Sequence, residues 1–299
     1  MTVASRIRAA HARVFAPQPV VRLEVIRILA PLAILGFLSS RIAHADDWLS
    51  DAGFHVPALA DDWRQPVELP ALPSWAAWGV CIGLVVAGLA VAAGAFTRWS
   101  AAGFAALLAY VALADRLAAF TVSKLAPVIA LALWLTPSGA RYSLDAWRRR
   151  KRDPSARPVT LVSGGCVVFF QLLLVVFYAS SGICKARGDW LGDPYVLWTH
   201  LHDSYQTPVS WFLGNHLPKQ AWPVLQATTL AFECGAPVWF SNRYTRPFAL
   251  GYGLVMHALI GLMFGPVIWF SLLMIVLLVG SYAPAPWLHR ALAWRRATP

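Results

Sequence analysis

The sequence predicts an all-α integral membrane protein, a polytopic bundle of about eight transmembrane helices with both termini in the cytoplasm. Of the 299 residues, 58% are hydrophobic and 13% are charged, and the mean hydropathy is +0.56. Soluble domains carry about 25% charged residues. The apolar residues form successive runs, most of them near the roughly 20 residues that span a bilayer. The basic residues between the runs collect on one side when the crossings alternate.

The chain begins with a basic segment, 1–22, that precedes the first apolar run at about 23–40. Its arginines are Arg6, Arg8, Arg13 and Arg22. This pattern resembles a signal peptide, and Ala43-His44-Ala45 has the form of a cleavage site. Because the basic segment is long and Arg41 directly precedes that site, we favour an uncleaved first helix and a cytoplasmic 1–22 segment.

An acidic outer loop, 41–73, separates the first helix from the next three. Its acids are Asp46, Asp47, Asp51, Asp61, Asp62 and Glu68. Helix two is expected at about 75–96 and helix three at about 99–117. After a tight turn around 116–121, helix four covers about 122–136.

The densest basic run, 141–157, separates helix four from helix five. Helix five is expected at about 160–185, helix six at 222–240, helix seven at 247–264 and helix eight at 266–283. The segment 186–221 is rich in Trp, His and Pro, so we expect an outer cap there, and the tail 284–299 is expected in the cytoplasm.

The net charge of +11 is a topology signal and not a nucleic-acid footprint. With alternating crossings, all basic clusters fall on the cytoplasmic side, as the positive-inside rule requires. Attraction to anionic lipids strengthens this arrangement, and the 148–152 cluster is a candidate lipid-headgroup site. The expected location is a cell membrane, specifically a bacterial inner membrane.

The stretch Gln171–Trp190 combines an apolar helix with one polar stripe. Gln171, Tyr178 and Lys185 are spaced seven residues apart, and seven residues return to nearly the same helix face. Ser181 and Gly182 lie between the last two. Such a stripe should face other helices or a wet cavity. The alternative is that Lys185 only extends to the membrane surface.

Glu233 and His257 are both predicted near mid-depth of the bilayer, in helices six and seven. A carboxylate there is costly, and a neighbouring imidazole lowers the cost. We therefore expect these two side chains to face each other, although separate packing roles are an alternative. Counting residues from the helix ends places Lys185 in another layer, nearer Asp115 and Asp189 than Glu233.

The outer segment offers only weak metal ligands, His200, His202 and His216. Two histidines one residue apart can chelate a metal on extended backbone, but no third ligand has suitable spacing, so we predict no metal. Trp190 in the same segment is typical of an interfacial anchor. No nucleotide-binding or hydrolase motif is found.

The order of these features resembles the HTTM domain, the transmembrane core of vitamin K-dependent gamma-carboxylase and of many bacterial membrane proteins. The matching features, from helix two to helix eight, are Gly94-Ala-Phe-Thr-Arg98, Asp115, Arg141-Tyr-Ser-Leu-Asp145, Tyr178-x3-Gly182-x2-Lys185-x4-Trp190, Glu233-x3-Pro237 and His257 with an aromatic-rich hairpin. The resemblance implies an HTTM-like transmembrane domain over 23–283.

The resemblance also implies a role for Lys185. In the carboxylase, the matching lysine is regarded as the base that deprotonates reduced vitamin K before oxygen adds. The carboxylase histidine that follows the aspartate matching Asp115 is replaced here by Val122. The sequence continues only briefly after helix eight, so we expect no lumenal substrate-binding domain and no protein carboxylation.

Three functions remain open at this point. The first is a carboxylase-like protein that binds a lipophilic, quinone-like molecule such as reduced vitamin K or menaquinone, with quinol-dependent oxidation if it is an enzyme. Its candidate catalytic residues are Lys185, Glu233 and His257, and its candidate pocket residues are Tyr178, Ser181, Gly182, Asp115 and Trp190. The second is a non-enzymatic membrane partner for maturation of, or immunity to, a secreted peptide or protein. The third is a small-solute transporter.

Overall fold

The computed structural model describes residues 3–54, 69–115, 121–202 and 206–293. The protein is all-α, with 76% of the described residues in helices. It divides into an N-terminal unit, Gln18–Val162, and a C-terminal unit, Ser163–Pro299 together with Met1–Pro17. Part of the predicted acidic loop (Asp61, Asp62 and Glu68), the turn at 116–120 and the end of the tail (294–299) lie outside the described residues.

The elements follow in chain order. They are α1 Val3–Val14, β1 Gln18–Pro19, α2 Val21–Ala43, α3 Ala45–Leu49, α4 Ser74–Ala93, α5 Thr97–Ala114, α6 Thr121–Leu135, α7 Leu144–Arg152, β2 Leu161–Val162, α8 Gly164–Arg187, α9 Val196–His200, α10 Pro208–His216, α11 Ala221–Ser241, α12 Arg246–Met263, a 3-10 turn Gly265–Val267, α13 Ile268–Tyr282 and α14 Ala285–Ala293. The two short strands pair antiparallel, and this pairing joins the first and last residues of the N-terminal unit.

In the N-terminal unit, α2 packs on α4, α4 on α5, and α5 on α6. Buried Ile26, Leu84, Phe104 and Ile129 belong to its core. Helix α4 ends at Gly94, whose φ of 69° lies in the left-handed region. A Cβ atom at Gly94 would lie 2.3 Å from the Cβ of Ser143, so both the conformation and the close approach require glycine here.

In the C-terminal unit, α8 packs against α11 and α13, and α12 packs against α11 and α13. The expected outer segment contains the two short helices α9 and α10. Helix α10 begins with a capping box formed by Thr207 and Ser210. Buried Leu201, Trp222 and Met263 form a cluster that fixes this segment to the helix ends.

Each of the eight predicted helices corresponds to an observed helix whose ends lie within about one turn of the prediction. Within the described residues, five segments are long and apolar enough to cross a membrane: α4, α5, α8, α12 and the segment Gly265–Tyr282. Helix α6 is apolar but shorter. Helices α2 and α11 are long, but they carry buried polar and charged side chains that lower their hydropathy. The protein is therefore a multi-pass helical membrane protein.

Candidate functional site

Two helices of the C-terminal unit, α8 and α11, approach closely at Gly182. A Cβ atom added there would lie 2.7 Å from the backbone nitrogen and 2.8 Å from the Sγ of Cys234. No real Cβ atom tolerates such contacts, so glycine permits the approach. This contact brings the side chains on either side of it, from both helices, within hydrogen-bonding range.

Lys185 and Glu233 form an ion pair across this contact. The Nζ of Lys185 lies 2.5 Å from Oε1 and 2.6 Å from Oε2 of Glu233, and 3.1 Å from the Oγ of Ser181. The side chain of Glu233 is 7% exposed and that of Lys185 is 26% exposed. Nζ also lies 5.0 Å from the ring centroid of Trp190. Three acceptors therefore surround an ammonium that has three hydrogens to donate.

This pair corrects the predicted depth of Lys185, which does contact Glu233. The prediction counted residues from helix ends and assumed that neighbouring helices begin at the same level. The Nε2 of Gln226 in α11 donates to the carbonyl oxygens of Trp190 at 2.9 Å and Asp193 at 2.7 Å, both beyond the end of α8. The first turns of α11 thus pack against the segment that follows α8, which brings Glu233 level with Lys185.

A second polar pair, which is buried, lies about two helical turns from Lys185 on the same polar stripe of α8. The hydroxyl of Tyr178 lies 2.7 Å from the Nε2 of His257 in α12, and both side chains are buried. The ring of Tyr178 packs against Phe232 and Phe240, at centroid distances of 5.1 and 6.2 Å. An aromatic enclosure therefore surrounds this hydrogen bond.

The predicted direct contact between Glu233 and His257 is wrong. Among the described residues, each of these side chains has its hydrogen-bond partner on α8 and not on the other's helix. Tyr178 and Lys185, seven residues apart, supply those two partners. The polar groups of α11 and α12 are therefore joined through α8, which sequence spacing alone did not indicate.

The prediction that the polar stripe of α8 faces other helices is confirmed. At its far end, the Nε2 of Gln171 donates to the carbonyl oxygen of Ser281 at 2.9 Å. Gln171, Tyr178 and Lys185 thus contact α13, α12 and α11 in turn. Lys185 does not simply extend to the membrane surface.

Helix α11 has a discontinuity in its hydrogen bonding next to the ion pair. Pro237 lies inside this helix, four residues after Glu233. Proline has no backbone N–H, so the carbonyl oxygen of Glu233 lacks its helical donor.

The remaining predicted residues have other surroundings. Asp115 belongs to the N-terminal unit, where its Oδ2 accepts from the Nε1 of Trp48 at 2.7 Å and lies 3.4 Å from the Nε of Arg41. Asp189 is exposed. Its expected role beside Lys185 is filled by Glu233.

The three outer histidines do not converge. His200 is exposed, and the Nδ1 atoms of His202 and His216 lie 2.9 and 2.8 Å from the carbonyl oxygens of Trp198 and Phe212. In the part of the chain that the structure describes, no group of three or more His, Cys, Asp or Glu side chains could hold a metal ion.

The N-terminal unit contains a buried arginine that sequence reasoning missed. Arg27 in α2 is fully buried, and its guanidinium donates to the carbonyl oxygens of Val91 at 2.8 Å, Ala92 at 2.6 Å and Ser138 at 3.0 Å. It also donates to the carbonyl oxygen of Tyr142. Arg27 therefore caps the last carbonyl groups of α4 and fixes the turn that precedes α7.

Two carboxylates complete this junction. Glu24 accepts from the backbone N–H groups of Arg141 and Tyr142. Asp145 accepts from the backbone N–H groups of Phe96 at 2.9 Å and Thr97 at 2.7 Å, at the start of α5. The segments 94–98 and 141–145, which carry two of the sequence motifs, thus pack together around α2. The sequence signal that could have revealed this junction is the pair Glu24 and Arg27, an acid and a base three residues apart inside an apolar run.

A comparison with family models matches the HTTM domain over residues 15–285. This range includes the Lys185–Glu233 pair, the junction around Arg27 and the eight observed helices that correspond to the predicted ones. Comparisons with curated proteins and with solved structures find no match. Since the matched range covers most of the chain, the protein belongs to the HTTM-domain family.

Proposed function

We propose that this HTTM-family protein binds a lipophilic, quinone-like molecule, such as reduced vitamin K or menaquinone, at the Lys185–Glu233 pair. The observation that carries the proposal is an ion pair built between two helices and open only at its lysine end. Glu233 is nearly inaccessible, whereas about a quarter of the Lys185 side chain, 26%, is exposed. A molecule that enters from the bilayer therefore meets the lysine side chain before the carboxylate.

The contacts around Lys185 support this ligand class. Ser181 is the most distant of its three acceptors, at 3.1 Å, so a quinone carbonyl oxygen can replace it with the least loss. The indole of Trp190 presents an aromatic face beside Nζ on which a flat ring can stack. A ring carbonyl and a planar ring would thus be recognised together.

For a quinol, the pair also provides a proton acceptor. Within the pair, the ammonium passes a proton to Glu233, which gives a neutral amine and a neutral carboxyl group. The amine then takes the proton from the quinol hydroxyl, so the O–H bond breaks, an N–H bond forms, and the quinolate stays beside the ammonium. This assigns Lys185 as the base, with Glu233 as its proton partner.

Protein carboxylation is not part of the proposal. The position that matches the carboxylase histidine is Val122, which is buried in α6 and offers no group for proton transfer. The proposed activity therefore ends at binding and deprotonation of the quinol.

The proposed orientation puts both termini in the cytoplasm and Lys185 at the outer side of the cell membrane. Single cysteines placed at exposed Asn215 and Arg157, in a variant without the native cysteines, test it. A membrane-impermeant maleimide added outside intact cells should label the first and not the second. The opposite labelling would refute the orientation.

The binding test uses the full chain in lipid nanodiscs with menaquinone-4 as the probe. Binding should weaken at least ten-fold in Lys185→Met, while Lys124→Met, a control at an exposed lysine of α6, should bind as wild type does. Reduced menaquinone-4 and oxygen, offered to the same proteins, then test deprotonation through the rate of quinol consumption. Equal binding by wild type and Lys185→Met would refute the proposal.

An apolar groove on α11 and α12 provides a second control. It has a volume of about 390 Å³ and is lined by Phe232, Trp239, Phe248 and Tyr252, among others. By helical spacing these α11 residues lie away from the Glu233 face. If Phe248→Ala abolishes menaquinone-4 binding and Lys185→Met does not, the ligand binds in this groove and not at the ion pair.

A further inference from the structure

A cationic groove in the N-terminal unit runs between α7 and the ends of α5 and α6. One part, of about 530 Å³, is lined by Arg98, Arg149 and the apolar end of α6. An adjoining part, of about 300 Å³, is lined by Arg148, Arg149 and Arg152. Asp145 lines both parts. Four guanidinium groups therefore face a single carboxylate.

The carboxylate of Asp145 is held by hydrogen bonds from the start of α5. Asp145 accepts from Phe96 N, from Thr97 N and, at 2.8 Å, from the Thr97 hydroxyl, and it lies 3.8 Å from the Nη1 of Arg148. These hydrogen bonds hold the carboxylate in place, and its single negative charge offsets only one of the four guanidinium charges, so the groove keeps a net positive charge.

Two of the four arginines contact neighbouring protein groups, and the other two are exposed. Arg148 lies over the ring of Phe96 at 4.8 Å, and Arg149 donates to the carbonyl oxygens of Gly139 and Ala140 at 3.2 and 3.1 Å. Both are held along the wall of the groove. Arg98 and Arg152 are exposed at its two ends.

The remaining wall is apolar, and the helices next to it carry exposed tryptophans. Leu133, Leu135 and Pro137 from the end of α6 line the larger part of the groove. Trp99 is 78% exposed and Trp147 is 52% exposed on the adjoining helices, as expected of side chains at a membrane–water interface. A ligand for this groove should thus combine an anionic group with a hydrocarbon portion.

We infer that this groove binds the phosphate headgroup of an anionic phospholipid, with the start of an acyl chain along the end of α6. Guanidinium groups bind phosphate oxygens in a planar, bidentate fashion. The basic run to which α7 belongs is predicted to face the cytoplasm, where anionic lipids attract basic residues near a helix end. This site is separate from the Lys185–Glu233 pair and does not depend on quinone binding.

The test compares lipid selectivity in two charge-matched double variants. Full-length protein in nanodiscs of phosphatidylcholine receives a spin-labelled phosphatidylglycerol, and the immobilised fraction is measured against spin-labelled phosphatidylcholine. R98Q/R152Q removes two exposed arginines from the groove. K151Q/R157Q removes two exposed charges from the same basic run outside the groove. Equal melting temperatures show that both variants are folded.

Wild type and K151Q/R157Q should prefer phosphatidylglycerol to a similar degree. R98Q/R152Q should lose at least roughly ten-fold of this preference, since one hydrogen bond to a charged group contributes about ten-fold or more. An equal loss in both variants would reduce the effect to general attraction and overturn the site. So would an unchanged preference in R98Q/R152Q. Displacement of the lipid by inorganic phosphate, at concentrations similar to those of the lipid, would identify a free phosphate as the ligand and overturn the lipid assignment.

Discussion

Removing either partner of the Lys185–Glu233 pair should destabilise the protein, and the two losses should be unequal. At 2.5 Å and an effective dielectric constant of about 20, the gross attraction is roughly 7 kcal/mol. Desolvation of the two charges offsets most of it, whereas removal of one partner from a buried pair leaves a net loss of about 3–5 kcal/mol. The difference between the partners follows from their exposure.

Lys185→Met leaves a carboxylate that is only 7% exposed and has lost its counter-charge. We expect the full loss of about 3–5 kcal/mol here. Glu233→Gln leaves a lysine that is 26% exposed, and its four-carbon chain can turn its ammonium toward water. The glutamine still accepts one hydrogen bond, so we expect a smaller loss of about 1–3 kcal/mol.

The free energy of unfolding of both single variants and of the double variant, measured in bicelles, completes a double-mutant cycle. Lys185→Met/Glu233→Gln buries no charge, so its loss should be well below the sum of the two single losses. Lys124→Met should change stability by less than about 0.5 kcal/mol. A larger loss for Glu233→Gln than for Lys185→Met, or strict additivity, would refute this account of the pair.

Three further predictions concern packing, pH and the buried arginine. Gly182→Ala should force α8 away from Cys234, destabilise the protein by about 1–3 kcal/mol and weaken menaquinone-4 binding. Burial alone would raise the pKa of Asp145, but hydrogen bonds from Thr97 outweigh it and hold the pKa below its usual value. The stability difference between wild type and Asp145→Asn should therefore be constant at neutral pH, decrease once the pH falls below about 4, and vanish below the folded-state pKa. Arg27→Met removes a donor from each of four carbonyl oxygens and should lower the melting temperature strongly. Arg27→Lys should restore little, because an ammonium cannot span the same acceptors.

Each of these has an internal control. Gly103→Ala adds a methyl group where nothing lies within 4 Å, so it should leave stability and binding unchanged. Thr97→Val removes one donor to Asp145 and should reduce its pH-dependent stabilisation in part. If Arg27→Lys matches wild type in thermal denaturation, the contacts of the Arg27 guanidinium with several carbonyl groups are not what stabilises the junction.

The sequence predicted the helices well because their limits depend on local chemistry. Gly94 ends α4 in a left-handed conformation, and the charges of the 141–157 run cannot enter an apolar helix. The polar stripe of α8 followed from helical periodicity. These are properties of one segment at a time, so they are readable without any knowledge of neighbouring segments.

The partners across helices were not readable in this way. The depth of Glu233 relative to Lys185 depends on how far α11 extends past the end of α8, and a count from helix ends contains no such offset. Arg27 was overlooked for a related reason. Its guanidinium satisfies carbonyl groups more than 60 residues away along the chain, and only the folded structure brings them together.

The proline in α11 gives the ion pair a mechanical property. The backbone hydrogen bond to the carbonyl oxygen of Glu233 is missing, so α11 bends most easily near this buried glutamate. A small change in the bend angle of α11 would change the distance between the Glu233 carboxylate and the Lys185 ammonium without breaking any backbone hydrogen bond. A ligand bound beside Lys185, as proposed above, would therefore lie next to the point where α11 bends most easily.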